Sequence, residues 1–391
     1  MSQQLINHNA DLMKLQDSGY EIEVCGGYLV AHHIPYVNAK REVAYGKLVC
    51  PLTQNAGKTL RPSDHVMYFA GGQPCNTDGQ IIKGIYHSEQ PQVFTDTIAV
   101  DRSFSNKPPD GYADYYEKVH TYASILSAQA KALDKAATPL TFRRTQTGES
   151  ESVFCYPDTN SVRAHIVEIN KKLAGQKVAI IGLGGTGSYI LDLIAKTPVA
   201  EIHLFDADVF LQHNAFRAPG APSLDELAEV HFKVDYFKRQ YETMHRNIIA
   251  HSVRITSENI SELAEFDFTF ISIDSNSSRA VISAFLLGQG KPFIDVGMGV
   301  EIVGDSLIGT TRMTVGTAAK SDHLKSRVAL IDAEDDLYAS NIQIADLNML
   351  NATMAVIKWK KMFGFYQDLM MEHNATYTIN TSQYDTSDFN P

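Results

Sequence analysis

Lys177-Val178-Ala179-Ile180-Ile181-Gly182-Leu183-Gly184-Gly185-Thr186-Gly187 is the stretch that decides the fold of this chain. The run from Lys177 to Ile181 reads as an apolar strand of the kind buried on both faces of a parallel sheet. The glycines form a tight turn, and a helix is predicted over Gly187–Lys196. Glycines at such a turn let the backbone approach a phosphate, while the helix start supplies unpaired N–H groups and a positive dipole end. Gly182, Gly184, Gly185 and Gly187 are therefore candidate phosphate-cradling residues.

That turn alone does not choose between a nicotinamide or flavin Rossmann domain and other nucleotide binders. The next segment does. A second strand, Glu201–Phe205, ends in Asp206, about twenty residues past the loop, where a carboxylate accepts ribose hydroxyls. A dinucleotide enzyme needs only that acid. Here the chain continues with Asp208, Asn214, Arg217 and Lys233. A second acid, an amide and two cations suit a polyphosphate that is held and then released as pyrophosphate. Hydride transfer has no evident use for them.

Around this centre the pattern is βαβ. Val162, Ile166, Ile169 and Leu173 make a helical stripe ahead of the first strand. Further strands are predicted at Val253–Ile255, Phe268–Ile273 and Pro292–Val296, with helices between. Glu301–Ile308 and Thr310–Val315 meet at Gly304-Asp305, a hairpin signal. A helix around Ala345–Phe363, begun by Asn341-Ile342-Gln343, carries Leu347, Leu350, Met354 and Ile357 on one side. The fold class is α/β: a Rossmann-like, mostly parallel sheet with an antiparallel extension, preceded by a β-rich α+β domain. In that first domain, Gly26–Ala31, Gly46–Leu52 and Val66–Ala70 are short apolar runs between turn residues, closed by a helix over Tyr112–Lys135. The expected boundaries are 1–140 for the β-rich domain, 141–160 for a linker, 161–365 for the nucleotide-binding domain and 366–391 for a polar, flexible tail. His32-His33 reads as a polar pair at a strand end rather than a metal site, since neighbours on a strand face opposite ways.

Composition narrows the partners. A hydrophobic fraction of 44% is ordinary for a globular protein. A formal charge of −11 disfavours nucleic acid. No apolar run reaches the length of a membrane span, and the first residues lack the regions of a signal peptide. Four cysteines, Cys25, Cys50, Cys75 and Cys155, form no CxxC pair, so they are expected to be free thiols in a reducing cytoplasm.

The spacing from Gly182 to Gly187, through Asp206, Asp208, Asn214, Arg217 and Lys233, resembles the ThiF/MoeB/ubiquitin-activating superfamily, in the bacterial type that carries an uncharacterised N-terminal domain. The resemblance covers residues 160–365. The family pattern Asn-Leu-x-Arg-Gln is met at its Asn and Arg positions, but Ala215 and Ala218 replace the Leu and the Gln. Phe270-Ile271-Ser272-Ile273-Asp274-Ser275, with Arg279 beyond, matches the family's later acid. The resemblance implies ATP as cofactor, with Asp206, Asp208, Asn214, Arg217, Lys233 and the glycines at the nucleotide, and Mg2+ on Asp274. It makes Arg217, Lys233 and Asp274 catalytic. Arg163 is the candidate for an arginine that reaches a partner subunit's ATP.

The implied activity is adenylation of a carboxylate, the C-terminal glycine of a ubiquitin-like protein foremost, by a cytoplasmic homodimer that also serves a conjugating enzyme. The alternatives are a small peptide or nucleoside carboxylate, or a non-catalytic nucleotide binder. Conjugating members use a cysteine in the loop after the fifth strand, whereas no cysteine follows Cys155 here. Three readings remain: the adenylate is the final product handed to another protein, Cys155 as the nearest thiol takes the acyl group, or a hydroxyl of that loop does, with Thr317 and Ser321 as candidates and His323 as base. The first domain is expected to recognise the partner.

Overall fold

The computed structural model describes residues 2–144, 152–164, 166–328 and 342–389. Two compact units emerge: Met1–Ser152 with Tyr156–Ile169, and Val153–Cys155 with Asn170–Pro391.

The first unit is β-rich, as its turn chemistry predicts. Six antiparallel strands run in the order Ile22–Cys25, Tyr28–Val37, Val43–Pro51, Val66–Ala70, Arg102–Ser105, Tyr86–Ser88. The helix Tyr115–Leu133 begins where Asp114 accepts the Glu117 N–H at 2.7 Å, and it buries Tyr115, Val119, Tyr122 and Leu126. These pack with Phe69 and Phe104 of the sheet. The His32-His33 pair sits at a register break between Ala31 and Ile34, with His33 at φ 53°. His32 lies 3.3 Å from Glu23 in the neighbouring strand and His33 2.8 Å from Glu21 just ahead of it, so each histidine faces a carboxylate.

In the second unit the strands are β1 (Lys177–Ile181), β2 (Glu201–Phe205), β3 (Ile248–His251), β4 (Phe268–Ile271), β5 (Phe293–Val303), β6 (Ser306–Gly316), β7 (Glu372–Thr378) and β8 (Gln383–Phe389). They form one sheet ordered β3-β2-β1-β4-β5-β6-β7-β8. Pairing is parallel from β3 to β5 and antiparallel from β5 to β8. The order 3-2-1-4 is that of a doubly wound nucleotide-binding half. Val178 and Ile180 enter the core on one face, and Ala179 and Ile181 the core on the other. That two-sided burial is why the strand is apolar throughout. The helices that matter for the site are α1 (Gly185–Ile194), α2 (Lys233–Tyr241), α3 (Asn276–Gly288) and α4 (Ala345–Met362).

Four sequence expectations change. The stripe Val162–Leu173 is not one helix: Asp158 caps a short helix, Thr159–Arg163, by accepting the Ser161 N–H at 3.0 Å. Val162 joins the first unit, where the Tyr28 hydroxyl donates to its carbonyl at 3.2 Å, whereas Leu173 belongs to the second unit's core. Val253–Ile255 is loop, because the Asn259 side chain bonds the backbone of Arg254 and Thr256. The strand there is β3 instead.

Residues 372–389, expected as tail, are β7 and β8. Glu372 lies 2.9 Å from Lys361, and the Thr314 hydroxyl donates to Asn374 at 2.8 Å, so polar partners rather than apolar ones hold this edge. Finally, the buried face of α4 includes Asn348 and Asn351 while Ile357 is exposed. The expected start at Asn341 lies outside the described residues.

Candidate nucleotide-binding site

At Gly182, Gly185 and Gly187 the glycine loop is built by contacts that leave no room for a side chain, whereas Gly184 has open space above it. Gly182, at φ 86°, donates its N–H to the Phe205 carbonyl at 2.8 Å, and a Cβ there would stand 2.3 Å from the Ser272 carbonyl oxygen. A Cβ on Gly187 would stand 1.9 Å from the Gly182 oxygen, and one on Gly185 1.9 Å from Asn348 Nδ2. The loop thus lies flat against β4 and α4, with its N–H groups at the start of α1. Thr186 donates its hydroxyl to Asn348 Oδ1 at 3.0 Å, and Asn348 Nδ2 donates to the Arg217 carbonyl at 3.2 Å. One side chain of α4 therefore ties the glycine loop to the segment that carries Arg217.

A cavity of 320 Å3 opens over the C-terminal ends of the parallel strands. Gly182, Gly184, Asp206, Asp208, Arg217, Lys233 and Asp274 all line it. Asp206, at the end of β2, accepts the N–H groups of Leu183 at 2.7 Å and Asp208 at 2.8 Å, which anchors its carboxylate beside the loop. Lys233 opens α2 and is 7% exposed. Its ammonium stands 2.9 Å from Asp208 and 3.6 Å from Asp206. Asp208 is also 3.1 Å from Arg254. Hydrogen bonding from Lys233 is the main cause that holds the Asp208 carboxyl below the usual aspartate range, with Arg254 adding to it. Asp208 therefore positions cations, and four positive groups, Arg217, Lys233, Arg254 and Arg279, line one cavity.

Asp274 follows β4. The start of α3 is capped not by it but by Ser275, whose hydroxyl accepts the Ser278 N–H at 3.2 Å. The Asp274 carboxylate is exposed to the cavity, with no hydrogen-bond partner among the described residues. Such a carboxylate suits Mg2+, which takes one or two protein oxygens and fills its other positions with phosphate and water. Among the described residues no cluster of three or more His, Cys, Asp or Glu is set to hold a metal by itself.

Other expected residues stand elsewhere. Asn214 is buried, and its Oδ1 accepts the Leu211 N–H at 2.8 Å; it shapes the turn before Arg217 and does not line the cavity. Gly185 and Gly187 lie beneath the loop rather than on the cavity wall. Arg163 ends the short helix of the first unit. Arg279 lines the cavity, but it lies 3.2 Å from Asp295 and donates to the Val296 carbonyl at 3.0 Å, so it braces β5. Thr317 is committed to a turn with Lys320, and His323 is buried with Nε2 on the Val315 carbonyl at 2.9 Å, which leaves that ring poorly placed to serve as a base at the surface. Sequence reasoning missed Arg254, Gln343, Asn348 and Asn351. The two asparagines, three apart and so on one face of the predicted helix with Leu347 and Met354, were the available signal.

A Rossmann-like sheet, a glycine loop and a cavity lined by carboxylates and cations make this a nucleotide-binding α/β fold. Residues 159–348 are a ThiF family domain, and residues 10–159 match a domain of unknown function, DUF6791. No curated protein matches the chain. Among solved structures, Escherichia coli MccB with MccA-N7isoASN is similar at 17% identity and a TM-score of 0.46 over 58% of this chain and 68% of that one. E. coli MccB with ATP stands at 19%, with a TM-score of 0.46 over 58% and 67%. PaaA stands at 17%, with a TM-score of 0.45 over 56% and 75%.

Proposed function

We propose that the second unit adenylates a peptidyl carboxylate with ATP. The carboxylate oxygen attacks the α-phosphorus, an acyl–O–P bond forms, the bond to the β-phosphate oxygen breaks, and pyrophosphate leaves. The observation that carries this reading is the order of groups across the strand ends. Asp206 stands on β2 for the ribose, the glycine loop on β1 for the phosphates, and Asp274 on β4 beside them. Arg217 and Lys233 line the same cavity as counter-charges. Fixed positive groups of this kind stabilise charge as it develops on the leaving pyrophosphate. Asp274 would hold Mg2+, which when bound neutralises phosphate charge.

The favoured substrate is the C-terminal glycine of a ubiquitin-like protein; a short peptide presents the same chemistry. The absence of a cysteine beyond Cys155 supports release of the adenylate to a separate acceptor, such as a conjugating enzyme. On this reading residues 161–365 carry the chemistry, residues 1–140 recognise the partner, and Arg163 contributes to the nucleotide of a second copy in a homodimer. Exchange of labelled pyrophosphate into ATP, dependent on a carboxylate protein or peptide, tests the reaction; no exchange with any such substrate would overturn it. A light-scattering mass at the monomer value would remove the role given to Arg163.

A further inference from the structure

Asn348 and Asn351 are both buried on α4, yet they are satisfied differently. Asn348 uses both ends of its amide, on Thr186 and on the Arg217 carbonyl. Asn351, 1% exposed, donates Nδ2 to the Gly297 carbonyl at 3.0 Å. That bond fixes the amide's orientation, because the reversed amide would set two oxygens against each other. Its Oδ1 is buried with no donor among the described residues, and Asn351 lines the cavity. Gln343, just ahead of α4, lines the same cavity, and its Oε1 is likewise buried without a donor. An unmatched buried amide oxygen is costly, and two of them on one cavity point to a ligand that donates.

Their place in the sheet says which part of the ligand. Gly297 is on β5, three strand positions from the β2 end that holds Asp206, or about 14 Å at ~4.8 Å per strand. With the ribose at β2 and phosphates at β1, the β5 wall meets the chain that bears the carboxylate. Beyond Asp295, β5 pairs only with β6 among the described residues. Gly297 and Gly299 carry no side chain along that free edge, and Met298 between them lines the cavity. A main chain can therefore lie beside it.

We infer that Asn351 Oδ1, with Gln343 Oε1 on the same cavity, accepts hydrogen bonds from the last peptide N–H groups of the substrate, so that the residue bearing the carboxylate must carry an unsubstituted N–H. This rests on the adenylation reading and names a substrate class within it: peptides whose terminal residue is neither proline nor N-alkylated.

The test uses two stable mimics of the adenylate, glycylglycyl-sulfamoyl-adenosine and its counterpart with N-methylglycine as the acyl residue, titrated against the full chain by calorimetry and by displacement of ATP. The N–H mimic is expected to bind about tenfold tighter or more, the effect of one hydrogen bond to a buried acceptor. Asn351→Leu should bring the two affinities within about twofold, and Gln343→Met, at a less buried position, should narrow the gap in a chain whose fold it does not threaten. Equal binding of both mimics to the wild type, each displacing ATP, overturns the inference and leaves adenylation standing. A preference that survives unchanged in both variants also overturns it. Failure of both mimics to displace ATP removes the adenylation reading itself.

Discussion

The ammonium of Lys233 stands 2.9 Å from Oδ2 of Asp208, a carboxylate that Arg254 holds from another side at 3.1 Å. Lys233 is nearly buried and Asp208 half exposed, so the acid aims the cation at the cavity instead of hiding it. Lys233→Met is expected to lower pyrophosphate exchange by about 10²–10³, the usual loss for one fixed charge-stabilising group. Asp208→Asn should cost less, since Asp206 still lies 3.6 Å from the ammonium.

The Asp208 pair also sets a pH dependence. Its carboxyl is held below the ordinary aspartate range, so its contribution to stability is complete above that range and is lost as pH falls through the lowered value. The melting temperatures of wild type and Asp208→Asn should keep a small, constant gap from neutral pH down to about pH 5, closing only below the ordinary value of ~3.9. Half-exposure and solvent screening keep the gap small. A gap that opened on acidification would contradict this.

Asp274 makes the opposite kind of prediction. Because its carboxylate has no partner among the described residues and Ser275 supplies the cap, Asp274→Asn should leave stability within about 0.5 kcal/mol while activity falls. The fall should appear in kcat, with a raised requirement for Mg2+. Ser275→Ala should instead lower stability by ~1 kcal/mol, as loss of a helix cap does. Thermal melts and exchange rates on the two variants separate the roles.

The sequence made legible what period and glycine chemistry encode. Strand β1, the loop to Gly187, Asp206 and the β5–β6 hairpin at Gly304-Asp305 all stand where the pattern predicts them. It failed where polar partners replace apolar ones. β7 and β8 rest on Asn374 and Glu372, and Asn259 ends β3's neighbourhood by bonding backbone. Hydrophobic periodicity carries no trace of either. The site divided the same way: charged residues after a strand are visible, whereas Asn348 and Asn351 matter through backbone carbonyls, at Arg217 and Gly297, that no pattern in the chain announces.

Two glycines of the loop differ in what stands over them, and so should their alanine variants. A Cβ at Gly187 meets the backbone oxygen of Gly182 at 1.9 Å, which cannot move without unmaking the turn. One at Gly185 meets the end of a side chain, Asn348 Nδ2. Gly187→Ala should therefore abolish ATP binding and cost several kcal/mol, about 2–4 by analogy with overpacked and strained sites. Gly185→Ala should displace Asn348, breaking its bonds to Thr186 and Arg217, for about 1–3 kcal/mol. Asn348→Ala would then add little further loss on top of Gly185→Ala, because both remove the same link. Full additivity of the two would show that Asn348 does not couple the loop to Arg217.

Asp295 carries the last prediction. It is fully buried, 3.2 Å from Arg279, and it also takes a hydrogen bond from Arg312. Arg312 reaches it across Gly297, where a Cβ would stand 2.7 Å from the guanidinium. One carboxylate thus compensates two cations under the wall that carries Gly297. Asp295→Asn removes the compensation and should destabilise the chain by about 3–5 kcal/mol, the cost of breaking a buried ion pair on one side. Replacing only Arg312 by Met leaves the Asp295–Arg279 pair intact and should cost less. If the wall is what places the substrate chain, Arg312→Met should raise KM for the carboxylate substrate and leave KM for ATP near its wild-type value. On the proposed reading ATP is held from β2 and β1, whereas Arg312 stands on β6. A rise in KM for ATP alone would mean that β5 supports the nucleotide instead.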